Sequence, residues 1–302
     1  MTTTDIPAPG AVGRMLNAYA GAGGLPAIDF TQPAGEPALA SPESISWRVF
    51  KNPVSLFIGG TAAVLLELAE PRVRSGVWDH TSFRTDPLPR MARTGLAAMV
   101  TVYGARSVAE RMIAGVGRRH AQVSGVTPAG ESYRAADREL LDWVQATASF
   151  GFLQAYHSFV RPLSQADRDR FYAEAAPAAR LYGALGAPQS EAMLAQQFLA
   201  MRPRLEQSQI VFDFLEIMRR APAAPAALRP LQHLLIRAGV EILPPWSRDI
   251  PGLDATFGLR LWERGLVALA ARVADRVVLK SAPPAQACLR MGLPVSHLYG
   301  RR

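Results

Sequence analysis

Arg90, Arg93 and Thr94 stand at helical spacing in Asp86-Pro-Leu-Pro-Arg-Met-Ala-Arg-Thr94, and a histidine follows in Arg118-Arg-His-Ala-Gln-Val-Ser-Gly125. Residues three and four apart share a helical face, so the two guanidinium groups and the hydroxyl point the same way. An imidazole facing them makes a set that can hold a charged, metal-centred cofactor. Between Ala92 and Val123 the pattern reads as two helices broken near Tyr103-Gly104-Ala105, which lets the two groups meet across one pocket.

Each residue has a second reading. His120 sits late on an apolar helix, where a neutral imidazole can ligate haem iron, and Arg118 and Arg119 precede it. The same three residues suit a helix C-terminus that attracts cations to its dipole, with Gly125 as the stop. Arg90 and Arg93 beside Thr94 can hold propionates or stabilise charge on bound dioxygen, or can pair with Asp86 or Glu110 on the surface. His80, in Trp78-Asp-His-Thr-Ser82, lines the same pocket or caps a turn. His157 falls mid-helix among apolar neighbours and reads as a hydrogen-bonded core histidine, while His233 and His297 have no partner nearby in sequence.

Helical periodicity dominates the elements that would position these groups. Helices are expected over about 91–103, 107–123, 135–158, 165–185, 189–205, 208–219, 225–240 and 255–279, after a first strong helix opened by Ser44-Ile-Ser-Trp47. In the last of them Leu259, Trp262, Leu266, Leu269 and Val273 repeat at three-and-four spacing. The stretch from Pro71 to Arg90 reads as a loop, and only short runs such as Val240–Leu243 or Val277–Leu279 suit strands. Residues 1–45 hold many of the glycines and prolines, with one helical candidate at Arg14–Ala20, and read as an irregular arm. The expectation is an all-α single domain over 46–302 without internal repeats.

Composition narrows the function. The chain has 302 residues, of which 49% are hydrophobic and 19% charged, enough to bury a cofactor inside one large core. A formal charge of +8 rests on arginine, Lys51 and Lys280 being the only lysines. With no dense basic stripe interleaved with aromatics, nucleic acid is not an expected partner. Cys288 is the only cysteine, which excludes an intramolecular disulfide and a cysteine-ligated cluster and suits a reducing cytoplasm. The opening residues lack a basic start followed by an apolar run, so no secretory signal is expected. Val54–Ala69, the most apolar stretch, carries Glu67 and is shorter than the ~20 residues needed to span a bilayer, so no transmembrane segment is expected and peripheral membrane contact stays open. No His-Glu-x-x-His, Gly-x-Ser-x-Gly or phosphate-loop pattern is present, and no histidine follows a glutamate by three. Gly21-Ala-Gly-Gly24 has no strand before it and is a weak nucleotide signal.

Leu65–Val73, Gly76–His80, Phe83–Pro87, Arg90–Thr94, His120–Gly125, Trp143–Thr147, Ala155-Tyr156 and Phe159–Leu163, taken in order, resemble the MpaB-like oxygenase family, which includes the catalytic domain of bacterial rubber oxygenase. The resemblance covers about Trp47 to Leu279. It implies an all-helical fold around haem b with His120 as the proximal iron ligand. Rubber oxygenases carry arginine, lysine and threonine where this chain has Arg90, Arg93 and Thr94; because Arg93 stays protonated, the resemblance implies an open or water-filled distal position. Many relatives carry histidine at the positions of Glu70 and Gln145. The function expected is a haem b-dependent oxygenase using dioxygen on a lipophilic, unsaturated or isoprenoid-like small molecule. The rivals are a non-enzymatic haem or lipid carrier and a helical scaffold without a cofactor.

Overall fold

The computed structural model describes residues 28–250 and 252–299. Among them are thirteen α-helices and one two-stranded antiparallel hairpin, so the domain is all-α as expected. The helix candidate at Arg14–Ala20 lies outside the described residues. The part of the arm that is described, 28–44, carries no helix or strand. It is strapped down at two places. Glu36 accepts from Ser107 N at 2.5 Å and from Ser107 Oγ at 3.0 Å, and Arg290 donates to Phe30 O and Glu36 O, both at 2.8 Å.

Helix α1 (Ile45–Phe50) leads into α2 (Pro53–Ala69), with Asn52 capping its first amides and Pro53 at its first position. Around α2 the other helices are arranged. Against α6 (Arg138–Ala155) the backbones touch, because Gly59 and Gly151 face each other. A Cβ on Gly59 would lie 2.6 Å from Gly151 O. On another side α10 (Arg229–Glu241) meets α2 at Gly239, where a Cβ would lie 2.8 Å from the Thr61 side chain. Ile58, Leu65, Leu66 and Leu68 of α2 join Trp47, Trp143, Tyr156 and Phe159 in the core.

The expected loop after Pro71 is instead helix α3 (Pro71–His80), turned by 110° from α2. Proline at a first helical position pre-sets φ and needs no amide partner. The residue before it completes the start: Glu70 Oε2 accepts from Val73 N at 2.7 Å, and Oε1 pairs with Arg72 Nε at 2.6 Å. Arg72 also reaches Glu139 at 3.0 Å. Both Glu70 and Arg72 are buried. At position 70 the chain therefore has a cap and a buried ion pair, not a free polar group.

Helix α4 (Pro87–Tyr103) and helix α5 (Arg106–His120) follow, with the break at Gly104 and Ala105. Gly125 lies past the helix end in strand β1 (Ser124–Val126), which pairs with β2 (Ser132–Arg134). A side chain at 125 would meet the Tyr133 hydroxyl at 2.7 Å. After α6 a π-helical turn spans Tyr156–Val160, and there His157 Nδ1 accepts from Leu163 N at 3.0 Å. Helices α7 (Gln165–Leu181), α8 (Glu191–Met201) and α9 (Gln209–Arg220) agree with their expected positions within a few residues. The remaining helices are α11 (Pro245–Asp249), α12 (Leu261–Ala274) and α13 (Pro283–Arg290). Neither strand candidate forms a strand: residues 240–241 end α10, and 277–279 are irregular.

Candidate functional site

A cavity of about 740 Å³ lies along α2, α4 and α6, with further wall from α7, α10 and the start of α13. Most of its lining is apolar, including Phe57, Val64 and Leu68 of α2, Met99 of α4, and Val144 and Phe152 of α6. Its size is within the range of small-molecule sites. Polar side chains gather where the first turns of α4 pass the end of α2. Arg90 and Thr94 come from α4, Glu67 from α2, and Gln145 and Ser149 from α6.

The α4 pair is internally bonded, Arg90 donating to Thr94 Oγ1 while Thr94 Oγ1 donates to Arg90 O at 3.0 Å. Glu67 lies deep in the molecule but faces the cavity, with Oε1 3.5 Å from Thr147 Oγ1. Burial pushes its carboxyl up to about 7, against the opposing pull of the Arg90 guanidinium and the Thr147 contact. Burial lowers the pKa of Arg90 too, with Glu67 opposing and Arg93 adding to the shift. Gln145 Nε2 donates to Ser149 Oγ at 3.0 Å, so its amide is tied along its own helix.

His120 ends α5 and is half-buried. Burial, then the nearby positive charge of Arg90, lower its pKa, which keeps the imidazole neutral at pH 7. The α4 and α5 groups thus lie close enough to feel each other's charge, although His120 is not part of the cavity wall. Arg93 donates to Ser82 Oγ at 3.2 Å on the turn before α4 and is also off the wall. Arg118 and Arg119 are exposed on the last turn of α5 and make no ion pair among the described residues. His80 is exposed at the end of α3, edge-on to the Tyr133 ring at a centroid distance of 6.4 Å. Its neighbour Trp78 lines the cavity instead.

Glu67 is the residue that sequence reasoning passed over as a site candidate. Its signal was a lone carboxylate in an apolar helix, a type seldom buried without a partner. Among the described residues no three His, Cys, Asp or Glu side chains come together as a metal ligand set. No single helix is long and apolar enough to cross a membrane; α2 and α3 pass by length and composition only as a sharply bent pair.

No curated protein and no solved structure matches the chain. A protein family does, and its match from 47 to 274 spans α1 to the end of α12 and so includes every helix that carries the Glu67, Arg90, Thr94, Gln145 and His120 cluster. Over that span the chain belongs to the family of the ER-bound oxygenase mpaB/B′ and rubber oxygenase catalytic domain.

Proposed function

We propose that the chain is a haem b-dependent oxygenase that acts with dioxygen on a lipophilic, unsaturated or isoprenoid-like small molecule. The observation that carries this reading is an apolar cavity whose polar end, at Arg90, Thr94 and Glu67, lies beside a neutral half-buried histidine. The donor set fits a porphyrin better than a bare ion, since one imidazole without a carboxylate cage is enough for an iron already held by four ring nitrogens. His120 would ligate the iron. Arg90 and the exposed pair Arg118 and Arg119 would be the cations for the propionates. When bound, the haem supplies the dioxygen chemistry.

The protein's own part follows from the cavity wall. Arg90 carries a fixed positive charge into an apolar space, where charge that develops on an oxygen is stabilised more than it would be in water. Thr94 receives a hydrogen bond from Arg90, which orients its hydroxyl. Glu67, held at about 7, can both give and take a proton near neutral pH. Apolar walls from α2, α4 and α6 exclude water and receive the substrate. Arg93 acts from outside the wall by bracing the turn at Ser82. Cys288 is buried as a free thiol.

The test is the oxidised and dithionite-reduced spectrum of the purified protein, with a pyridine haemochrome assay. A Soret band with stoichiometric haem b is expected, and it should be lost in His120→Ala. Full haem occupancy in that variant would remove His120 as the ligand. An apolar cavity of this size also suits a carrier. Product formation from an alkene, abolished in Arg90→Ala with haem retained, separates the enzyme from that second reading.

A further inference from the structure

The cavity follows α4 beyond its charged end. Arg90 and Thr101 both line it, and they are 11 residues apart on the helix. At 1.5 Å per residue that is about 16 Å, the extended length of a saturated chain of about fourteen carbons. At this far end Thr101 meets Tyr182, the residue that closes α7, and both side chains are on the wall.

The proton count at this pair is decisive. Thr101 Oγ1 lies 2.8 Å from Ala97 O and 2.9 Å from Tyr182 Oη. A carbonyl has no proton, so the first contact uses the single proton of the threonine hydroxyl. The second must then use the phenol's proton, donated by Tyr182 to Thr101 Oγ1. Burial raises the Tyr182 pKa, so that proton is present at neutral pH. Tyr182 Oη is left with acceptor lone pairs on the cavity wall, and no described residue donates to them. An unfilled acceptor in an apolar cavity selects a ligand that brings a donor.

We propose that Tyr182 accepts a hydrogen bond from a ligand hydroxyl, so that the cavity takes an elongated apolar alcohol with its hydroxyl remote from Arg90. A charged amine is disfavoured. Glu174, the carboxylate that α7 adds to the wall, already accepts from Ile45 N at 2.8 Å and from Arg170 at 2.7 Å, so it is not free to balance an ammonium at this end. This inference rests on the lipophilic ligand proposed above and adds its polar group and where that group sits.

The experiment is binding to the full-length protein of 1-tetradecanol and of its methyl ether, which keeps the oxygen but lacks the proton. The change in tryptophan emission as the probe displaces water beside Trp78 reports binding, since Trp78 lines the cavity. The native protein should bind the alcohol about fivefold more tightly than the ether, the size of one neutral hydrogen bond of ~1 kcal/mol. Tyr182→Phe combined with Thr101→Val, which leaves no hydroxyl oxygen from this pair on the wall, should bring the ratio to about one. Thr101→Val keeps the phenol and frees its proton, so it should retain alcohol binding and tighten ether binding. It also provides the test if the double variant does not fold. Equal native affinity for both probes, or an alcohol preference that survives in the double variant, overturns the role of Tyr182 and leaves the lipophilic cavity standing. Failure of both probes to bind overturns the lipophilic ligand and this inference with it.

Discussion

Glu67 decides how the site responds to pH. Its carboxyl is held at about 7 in the folded chain against an ordinary value of 4.5. The folded state therefore binds the proton more tightly than the unfolded state does, and stability falls as pH rises between those two values. The penalty is complete above pH 7 and amounts to about 3 kcal/mol at 1.36 kcal/mol per pKa unit, an upper figure because the carboxyl faces a cavity. Glu67→Gln should equal the native protein in urea unfolding at pH 4.5 and exceed it by about 2 kcal/mol at pH 8. An unchanged difference across that range would show that folding leaves the pKa of Glu67 unshifted. His120 has the opposite sign: its lowered pKa gives stability that is present above the ordinary value of 6.5 and lost as pH falls below it. At this scale the sequence named Arg90, Thr94 and His120, and the fold brings them near one another. It reduced Glu67 to a charge interrupting an apolar run, since depth inside a protein has no signature in spacing.

Among the elements, α2 and its contacts set the shape of the cavity. Gly59 and Gly151 let two helices touch backbone to backbone, so Gly59→Ala must push them apart and should cost about 2–3 kcal/mol in chemical denaturation. Gly60→Ala is the control, because a Cβ there would lie 3.9 Å from the nearest atom, on Phe152. It should be neutral or stabilising by up to about 1 kcal/mol through the lower entropy of the unfolded chain. Equal destabilisation in the two variants would deny the close approach. Most helices were legible from periodicity, and the boundaries that failed have local causes. Pro71 in sequence signals the start of a loop, but with Glu70 as its cap it begins α3. The last long helix, expected over 255–279, is divided by the irregular residues 258–260 into a 3₁₀ turn at Ala255–Phe257 and α12. Arg237 Nε donates to Gly258 O at 2.9 Å and Leu259 N to Glu241 at 3.1 Å, tertiary partners that replace the helical ones.

Across the whole molecule, the same apolar periodicity can point inward or outward. On α12 the stripe of Trp262, Leu266, Leu269 and Val273 is exposed, whereas Val267, Ala271 and Ala274, with Glu263, turn toward the core. Glu263 is held there by Arg237 at 2.8 Å and by its cap on Arg260 N at 2.7 Å. Leu269→Lys should therefore change unfolding by no more than about 0.5 kcal/mol, while Val267→Ala should cost about 1–2 kcal/mol. Similar losses at both positions would mean that the outer stripe is covered in solution. The sequence by itself determined the all-α class, the sites of most helices and the ordered motifs of the oxygenase family, and it named candidate residues on α4 and α5. Those features depend on local periodicity, on capping residues and on residue types at fixed separations, all of which can be read along one chain. Only the tertiary structure decided that Glu67 joins Arg90 in a cavity, that Tyr182 of α7 meets Thr101 of α4, and that the stripe on α12 faces outward. Each of these depends on which helix packs against which, a property of contacts between residues far apart in sequence, where spacing carries no information.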